Sequence, residues 1–217
     1  MDTLERSIKG RHSTRKFLST PVPRSLVNEA LALAQHAPSN SNIQPWRIVF
    51  ASGAARDRLK EALLDVAKQE TPRIPPLPES FRHYRSQLGL QVYGVGMGIA
   101  HDDKQSKDAA VLRNFEFFGA PLVGVICMHR DLGPPDALSV GMYVQTLLLA
   151  LTERGLDTCV EVSVTGYPDV LRRELNIEPE LLMLSGLAIG YADPAFPANE
   201  LRIQRDPVEK SVTFFDD

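Results

Sequence analysis

Cysteine is nearly absent from this 217-residue chain: only Cys127 and Cys159 occur, both inside apolar runs that read as strands. There is no C-x-x-C pair and no Cys/His spacing suited to a structural metal, so both thiols read as small buried hydrophobes. Long hydrophobic runs are missing too, and the longest fall well short of a membrane span. The start, MDTLERSIKG, carries acidic residues where a signal peptide needs a basic start followed by an apolar stretch. A reducing cytoplasm and no membrane partner are expected. Basic excess is also lacking: 24 Lys and Arg against 27 Asp and Glu leave a net charge of −3. No general field exists to gather nucleic acid or anionic lipid, so any anion site must be local.

Donors are nevertheless concentrated in one place. Arg11 to Arg15, RHSTR, packs two guanidiniums, an imidazole and two hydroxyls into five residues. Such a cluster suits a dianionic phosphate through charge-assisted, partly bidentate hydrogen bonds. Some two dozen positions later, APSNSNIQPWR at Ala37 to Arg47 sets four short polar side chains between Pro38 and Pro45. Residues of this kind keep backbone groups available in a turn for the polar edge of a flat ligand. Taken singly, RHSTR also reads as a solvated helix end, and the Ser/Asn stretch as a surface loop capped by Trp46. Placed on either side of one helix, the two point to a flat, phosphorylated cofactor.

With 43% hydrophobic residues the chain can fill one core, so a single domain over 1–217 is expected. Thr3 and Gly10 bracket a short helix over Leu4 to Lys9, which leaves Arg11 in a loop. A helix after Pro23 carries Leu26, Ala30, Leu33 and Ala37 at helical spacing. A strand is predicted over Trp46 to Ala51 and an amphipathic helix over Gly53 to Gln69. The four prolines of Thr71 to Ser80 then open an excursion or lid over about 71–106. Further helices are predicted over Lys107 to Phe118, Pro135 to Arg154 and Asp169 to Leu175. LVGVICM, Leu156 to Val164 and Leu182 to Gly190 read as strands. The fold class is α+β, a mixed sheet flanked by helices. The tail over about 193–217 has no core of its own and suits pairing with a sheet edge or wrapping a second subunit.

Three weaker signals are set aside. Gly94, Gly96 and Gly98 begin a dinucleotide fingerprint, but Ile99 occupies the place of the third glycine and no clear strand precedes them. His101, Asp102 and Asp103 are adjacent residues pointing in different directions, so they read as a solvated turn rather than a metal site. Ser163 lies in VSVTG, without the first glycine of a hydrolase elbow.

The order and spacing of RHSTR, FLSTPVP, APSNSNIQPWR, FFGAPLVGVI, GLDTCVEVSV, YPDVLRRELNI and LSGLAIGYADP resemble the FMN-dependent nitroreductase family over nearly the full chain, most closely its nitroaromatic and nitrobenzoate-reductase-like branch. The resemblance implies a mainly antiparallel sheet and a homodimer whose C-terminal arms exchange. It places Arg11 and Ser13 on the FMN phosphate, with His12 supporting the loop and Arg15 towards the ribityl and pyrimidine side. Pro38, Ser39 and Asn40 would reach the flavin from the partner subunit, Asn42 would lie near the ring, and Ser41 would face substrate. Glu161, Val162 and Ser163 match the segment at flavin N5, where a backbone amide is the working group. Glu161 stands where many relatives carry Gln, and its side chain is expected to point away from the ring. Arg205, with Arg202 as the second, fits the C-terminal phosphate-binding position. A middle-helix contact to the pyrimidine edge has no match beyond Asn114.

The family's chemistry implies a hydride passed from NADH or NADPH to flavin N5, and from there to a small aromatic acceptor such as a nitroaromatic or quinone, with ping-pong kinetics. The flavin carries the chemistry, so no catalytic side chain is required. Alternatives on the same fold are a reductive dehalogenase or a flavin-fragmenting enzyme, separated by the lid. A slow-turnover flavin sensor or carrier is a third. A homodimer interface of roughly 2,000 to 5,000 Å² or larger is expected.

Overall fold

The computed structural model describes residues 3–216. Its centre is a four-stranded sheet, β1 (Arg47–Ser52), β2 (Leu122–His129), β3 (Asp157–Glu161) and β4 (Leu181–Gly190), in the order β1-β2-β4-β3. All three ladders are antiparallel. The parallel element is small: an isolated bridge from Ser13 to Thr158 lays the segment after the first helix along the outer side of β3.

The apolar runs of β2 and β4 follow from burial on both faces. On β2, Val123, Val125 and Cys127 enter one core, while Leu122, Ile126 and Met128 enter the other. The first core is closed by α3 (Gly53–Ala67) and α7 (Pro168–Leu175), the second by α2 (Arg24–Ala34) and α6 (Pro134–Glu153). Leu147 and Leu151 of α6 are fully buried, and each such side chain contributes roughly 1.5–3 kcal/mol of transfer free energy. Two prolines begin α6, and the Asp136 carboxylate accepts the Gly133 amide at 3.0 Å, closing its first turn.

Several boundaries differ from the sequence reading. Helix α1 spans Thr3–Gly10, so Gly10 lies inside it. In α2 the buried face is Val27, Ala30 and Ala34, whereas Leu33 is exposed and Ala37 lies beyond the helix end. The 107–118 prediction divides into α5 (Lys104–Leu112) and a 3-10 turn over Arg113–Gly119. There Phe117 and Phe118 both take left-handed backbone angles, with φ of 49° and 53°. Burial of both rings against the first core holds this unfavourable geometry in place. The strand predicted to Val164 stops at Glu161, because Ser163–Gly166 curls into a 3-10 turn.

The excursion over 71–106 is anchored at both ends. The Arg73 amide donates to the Gly166 carbonyl at 3.0 Å. Helix α4 (Arg82–Gly89) runs into a π-helical turn over Leu90–Gly96. Gly96 packs directly on the C-terminal arm, where a Cβ would stand 2.8 Å from that of Ala198. Of the three glycines Gly96 serves close packing, while Gly94 and Gly98 have open space at the Cβ position. Asp103 caps α5 by accepting the Ser106 amide. No helix among the described residues is long and apolar enough to cross a membrane.

Candidate active site

Arg11 leaves the end of α1 and enters the groove beside β3 because Ser13 bridges to Thr158 and the Thr14 amide donates to the Thr158 carbonyl at 3.0 Å. The short β3 thus fixes the height of the whole RHSTR segment. The His12 ring nitrogen Nδ1 lies 3.0 Å from the Gly10 carbonyl, holding the turn. The Arg15 backbone amide donates to Asn199 Oδ1 at 2.7 Å, and its guanidinium donates to the Ser13 carbonyl at 3.1 Å. Asn199, only 2% exposed, also donates to the carbonyls of Lys16 and Asp193. Through it the start of the C-terminal arm is tied to the N-terminal segment.

The arm brings the Arg205 charge within reach of Arg11. Burial and then the Arg205 charge lower the Arg11 pKa from its usual range. Neither guanidinium is in an ion pair among the described residues. Two mutually repelling cations without an acidic partner suit an anion. Arg205 also donates to the backbone carbonyls of Ile203 and Gln204, 2.6 and 3.4 Å away, and the Arg202 guanidinium likewise donates to those of Asn199 and Leu201, 3.0 and 3.2 Å away. Arg202 closes the turn over Pro197–Glu200. Arg113, absent from the sequence reading, donates to the Arg15 carbonyl at 2.7 Å and lies over the Phe196 ring at 4.6 Å. Asn114 donates locally to the Val111 carbonyl.

Glu161 ends β3 opposite Gly186, where a Cβ would meet Val164 Cγ2 at 2.5 Å. The glycine lets the chain turn sharply after the strand, and the turn presents Val162, 53% exposed, and the half-buried Ser163 at the surface. The Glu161 side chain goes inward. Burial raises its pKa well above the ordinary value, with the Arg15 charge opposing.

The Pro38–Pro45 loop lies elsewhere in the same subunit, on the amino end of α6. The Asn40 amide donates to Ser139 Oγ at 3.1 Å, and Asn40 Nδ2 donates to Asp136 Oδ1 at 3.2 Å. Ser39 Oγ accepts the Gln44 amide. Ser41, Asn42 and Gln44 all have φ between 49° and 57°, conformations that persist only where the surroundings impose them. Trp46 below the loop stacks on Tyr143 at 4.6 Å and donates to Gln35. No hydrogen bond among the described residues joins Pro38, Ser39, Asn40, Ser41 or Asn42 to the Arg11–Arg205 cluster.

A model of the nitroreductase family matches residues 8–191. The chain belongs to the nitroreductase family. Among curated relatives, Nitroreductase NfnB of Mycolicibacterium smegmatis is 35% identical over 97% of this chain and 92% of its own length. Nitrobenzene nitroreductase of Ectopseudomonas oleovorans is 33% identical over 95% and 94%. The crystal structure of the FMN and NADPH-dependent nitroreductase NfnB from Sphigopyxis sp. strain HMH superposes with a TM-score of 0.92 at 30% identity, covering 99% of both chains. The antiparallel sheet, its helical layers and the arm are those of this nitroreductase fold.

Proposed function

We propose that this protein is an FMN-dependent oxidoreductase that takes a hydride from NADH or NADPH and delivers it to small aromatic acceptors, nitroaromatics and quinones, in ping-pong fashion. The observation that carries the reading is the unpaired Arg11–Arg205 couple beside β3, set in a nitroreductase-family chain whose relatives use FMN and NADPH. A phosphate dianion fits that couple in charge and in donor number.

When bound, FMN supplies the hydride-accepting centre. The chain's own residues hold and orient it: Arg11, Ser13 and Arg205 would take the phosphate, and Arg15 the side towards the pyrimidine. The backbone after Glu161 would present its amides to the ring edge. Positive charge and a face shielded from water favour the reduced, anionic ring.

The second half-site comes from a partner subunit in this reading, with Pro38, Ser39, Asn40 and Asn42 reaching across and Ser41 facing substrate. Exposed Leu4, Ile8, Leu138, Val160 and Val162 provide an apolar surface for such a homodimer. The arm supports the same assembly. Phe214 and Phe215 are 79% and 96% exposed, while β1 is an edge strand beside a pocket of about 620 Å³ lined by Trp46, Ile48 and Phe50, with Arg24 and Arg47 available to Asp216. Two reduced, buried cysteines accord with a cytoplasmic location.

The test is direct. Purified protein should carry yellow flavin absorbance and oxidise NADH or NADPH when given a nitroaromatic or a quinone. Reconstituted protein with neither property would defeat the proposal.

A further inference from the structure

Four arginines of this chain pair with the acid next to them. Arg56 meets Asp57 at 3.2 Å, Arg130 meets Asp131 at 4.0 Å, Arg154 meets Glu153 at 3.8 Å and Arg173 meets Glu174 at 2.9 Å. At Arg6 and Arg58 the pair fails because another cation holds the neighbouring acid: Lys9 holds Glu5, and Arg56 holds Asp57. Arg205 and Asp206 are adjacent too, yet no ion pair joins them among the described residues.

Asp206 is held from two sides. The Tyr84 hydroxyl of α4, 122 residues away in the chain, donates to its Oδ2. Lys210 Nζ stands 3.4 Å from its other oxygen, Oδ1. The Tyr84 bond, with help from Lys210 and the His83 charge, holds the Asp206 carboxyl below its ordinary range. It is a full carboxylate at neutral pH and a strong acceptor for a guanidinium. Packing brings the lid to this contact: Gly96 lies against Ala198 and Leu201 of the arm, with no room for a Cβ. With its acidic neighbour engaged, Arg205 donates among the described residues only to the Ile203 and Gln204 carbonyls. Its charge remains free to act on Arg11.

We propose that Asp206 is a built-in competitor for the phosphate-binding arginine, and that Tyr84 and Lys210 are positioning residues which keep its carboxylate off Arg205. This rests on the flavin reading of the site, with Arg205 on the phosphate. The lid thus acts on cofactor binding through the arm. Released from Tyr84, the Asp206 carboxylate has a guanidinium one residue away, a separation that closes to an ion pair four times elsewhere in this chain. Such a pair would take donors and charge away from the phosphate.

The experiment measures FMN and riboflavin affinity by flavin fluorescence in wild type, Tyr84→Phe, Asp206→Asn and the double variant. Riboflavin lacks the phosphate and so reports on the rest of the site. Tyr84→Phe is expected to raise the FMN dissociation constant about two- to fivefold, the strength of an exposed ion pair, and to leave riboflavin affinity unchanged. Asp206→Asn keeps an oxygen for Tyr84 and loses the charge, so FMN affinity equal to wild type or higher is expected. The double variant should recover wild-type FMN affinity, because without a carboxylate the loss of the Tyr84 hydroxyl frees no competitor. In an Arg205→Ala background, Tyr84→Phe should have no further effect.

A double variant that bound FMN no better than Tyr84→Phe would overturn the proposal, since a contact that merely braces the arm is not restored by a second substitution. Equal losses of FMN and riboflavin in Tyr84→Phe would do the same, as would undiminished FMN affinity there or weaker FMN binding by Asp206→Asn. If Tyr84→Phe did not fold, Lys210→Gln takes its place with the same expectations, because it removes the other hold. Wild type that bound riboflavin as tightly as FMN would overturn this inference and leave the flavin reading standing. Wild type that bound neither would remove both.

Discussion

The Arg205 charge acts on Arg11 beside β3, and neither guanidinium has an acidic ion-pair partner among the described residues. Folding brings these two cations together although they repel. Such an arrangement is stable only because the rest of the chain imposes it, and it becomes favourable when a dianion enters. Placement of the pair depends on contacts distant in sequence: the Arg15 amide reaches Asn199, 184 residues away.

Arg205→Ala removes one charge-assisted contact, worth about 1.5–3 kcal/mol of cofactor binding. A roughly 10- to 150-fold rise in the FMN dissociation constant is expected, with the melting temperature of the cofactor-free protein unchanged or slightly higher as repulsion is relieved. Arg202→Ala is expected to shift the constant by less than about twofold, because it is the Arg205 charge and not that of Arg202 that acts on Arg11. Fluorescence titration of both variants checks the contrast; equal losses would mean that Arg202 joins the phosphate site.

Asp136 is predicted to control the Ser/Asn loop. One of its oxygens caps α6 through Gly133 and the other fixes the Asn40 side-chain amide. Asp136→Ala should therefore destabilise the fold by about 1–2 kcal/mol and also weaken FMN binding. Asp136→Asn, which keeps one acceptor oxygen, should fall between. Thermal melts give the first effect and FMN titration the second. Unchanged affinity in the alanine variant would show that the loop is held by other means.

Glu161 also gives the cofactor-free protein a pH signature. Its folded pKa is raised above the ordinary value of 4.5, so the acid is neutral in both states at low pH and adds no ionisation-linked cost there. Above that value the unfolded chain ionises while the folded chain keeps its proton. Stability is then lost at roughly 1.4 kcal/mol per pH unit until the folded pKa is reached. The melting temperature of Glu161→Gln should exceed that of wild type by a margin that widens with pH, at about 2–4 °C per kcal/mol. A constant margin from pH 5 to 9 would mean that the carboxyl is not buried in the neutral form.

Much of this architecture is legible in the chain because β2 and β4 are buried on both faces and so read as unbroken apolar runs. Helix α6 is marked by paired prolines at its start and a broad apolar stripe. Reading fails where tertiary contacts override local pattern. Phe117 and Phe118 sit at left-handed angles that no propensity favours, and the buried face of α2 is rotated towards Val27 and Ala34. Within the site, Arg11 and Ser13 stand out by donor density alone. Asn199 and Arg113 carry no local signal, since their partners lie 184 and 98 residues away, and Asp136 reads locally only as a helix cap, its Asn40 partner lying 96 residues away.

The proposed sharing of each site between two subunits leads to a complementation test. Arg11→Ala with Arg205→Ala disables the phosphate half, and Asn40→Trp blocks the loop half. Each variant alone is expected to bind almost no FMN, because every site in its homodimer carries one damaged half. A hybrid dimer, isolated from coexpressed subunits bearing two different tags, has one site built from two intact halves and one built from two damaged halves. It should bind about half the flavin of wild type, one FMN per dimer, by the symmetry of an isologous interface. The same hybrid should oxidise NAD(P)H at a comparable fraction of the wild-type rate. Were both halves of each site drawn from a single subunit, no site in the hybrid would be intact and no flavin would be recovered.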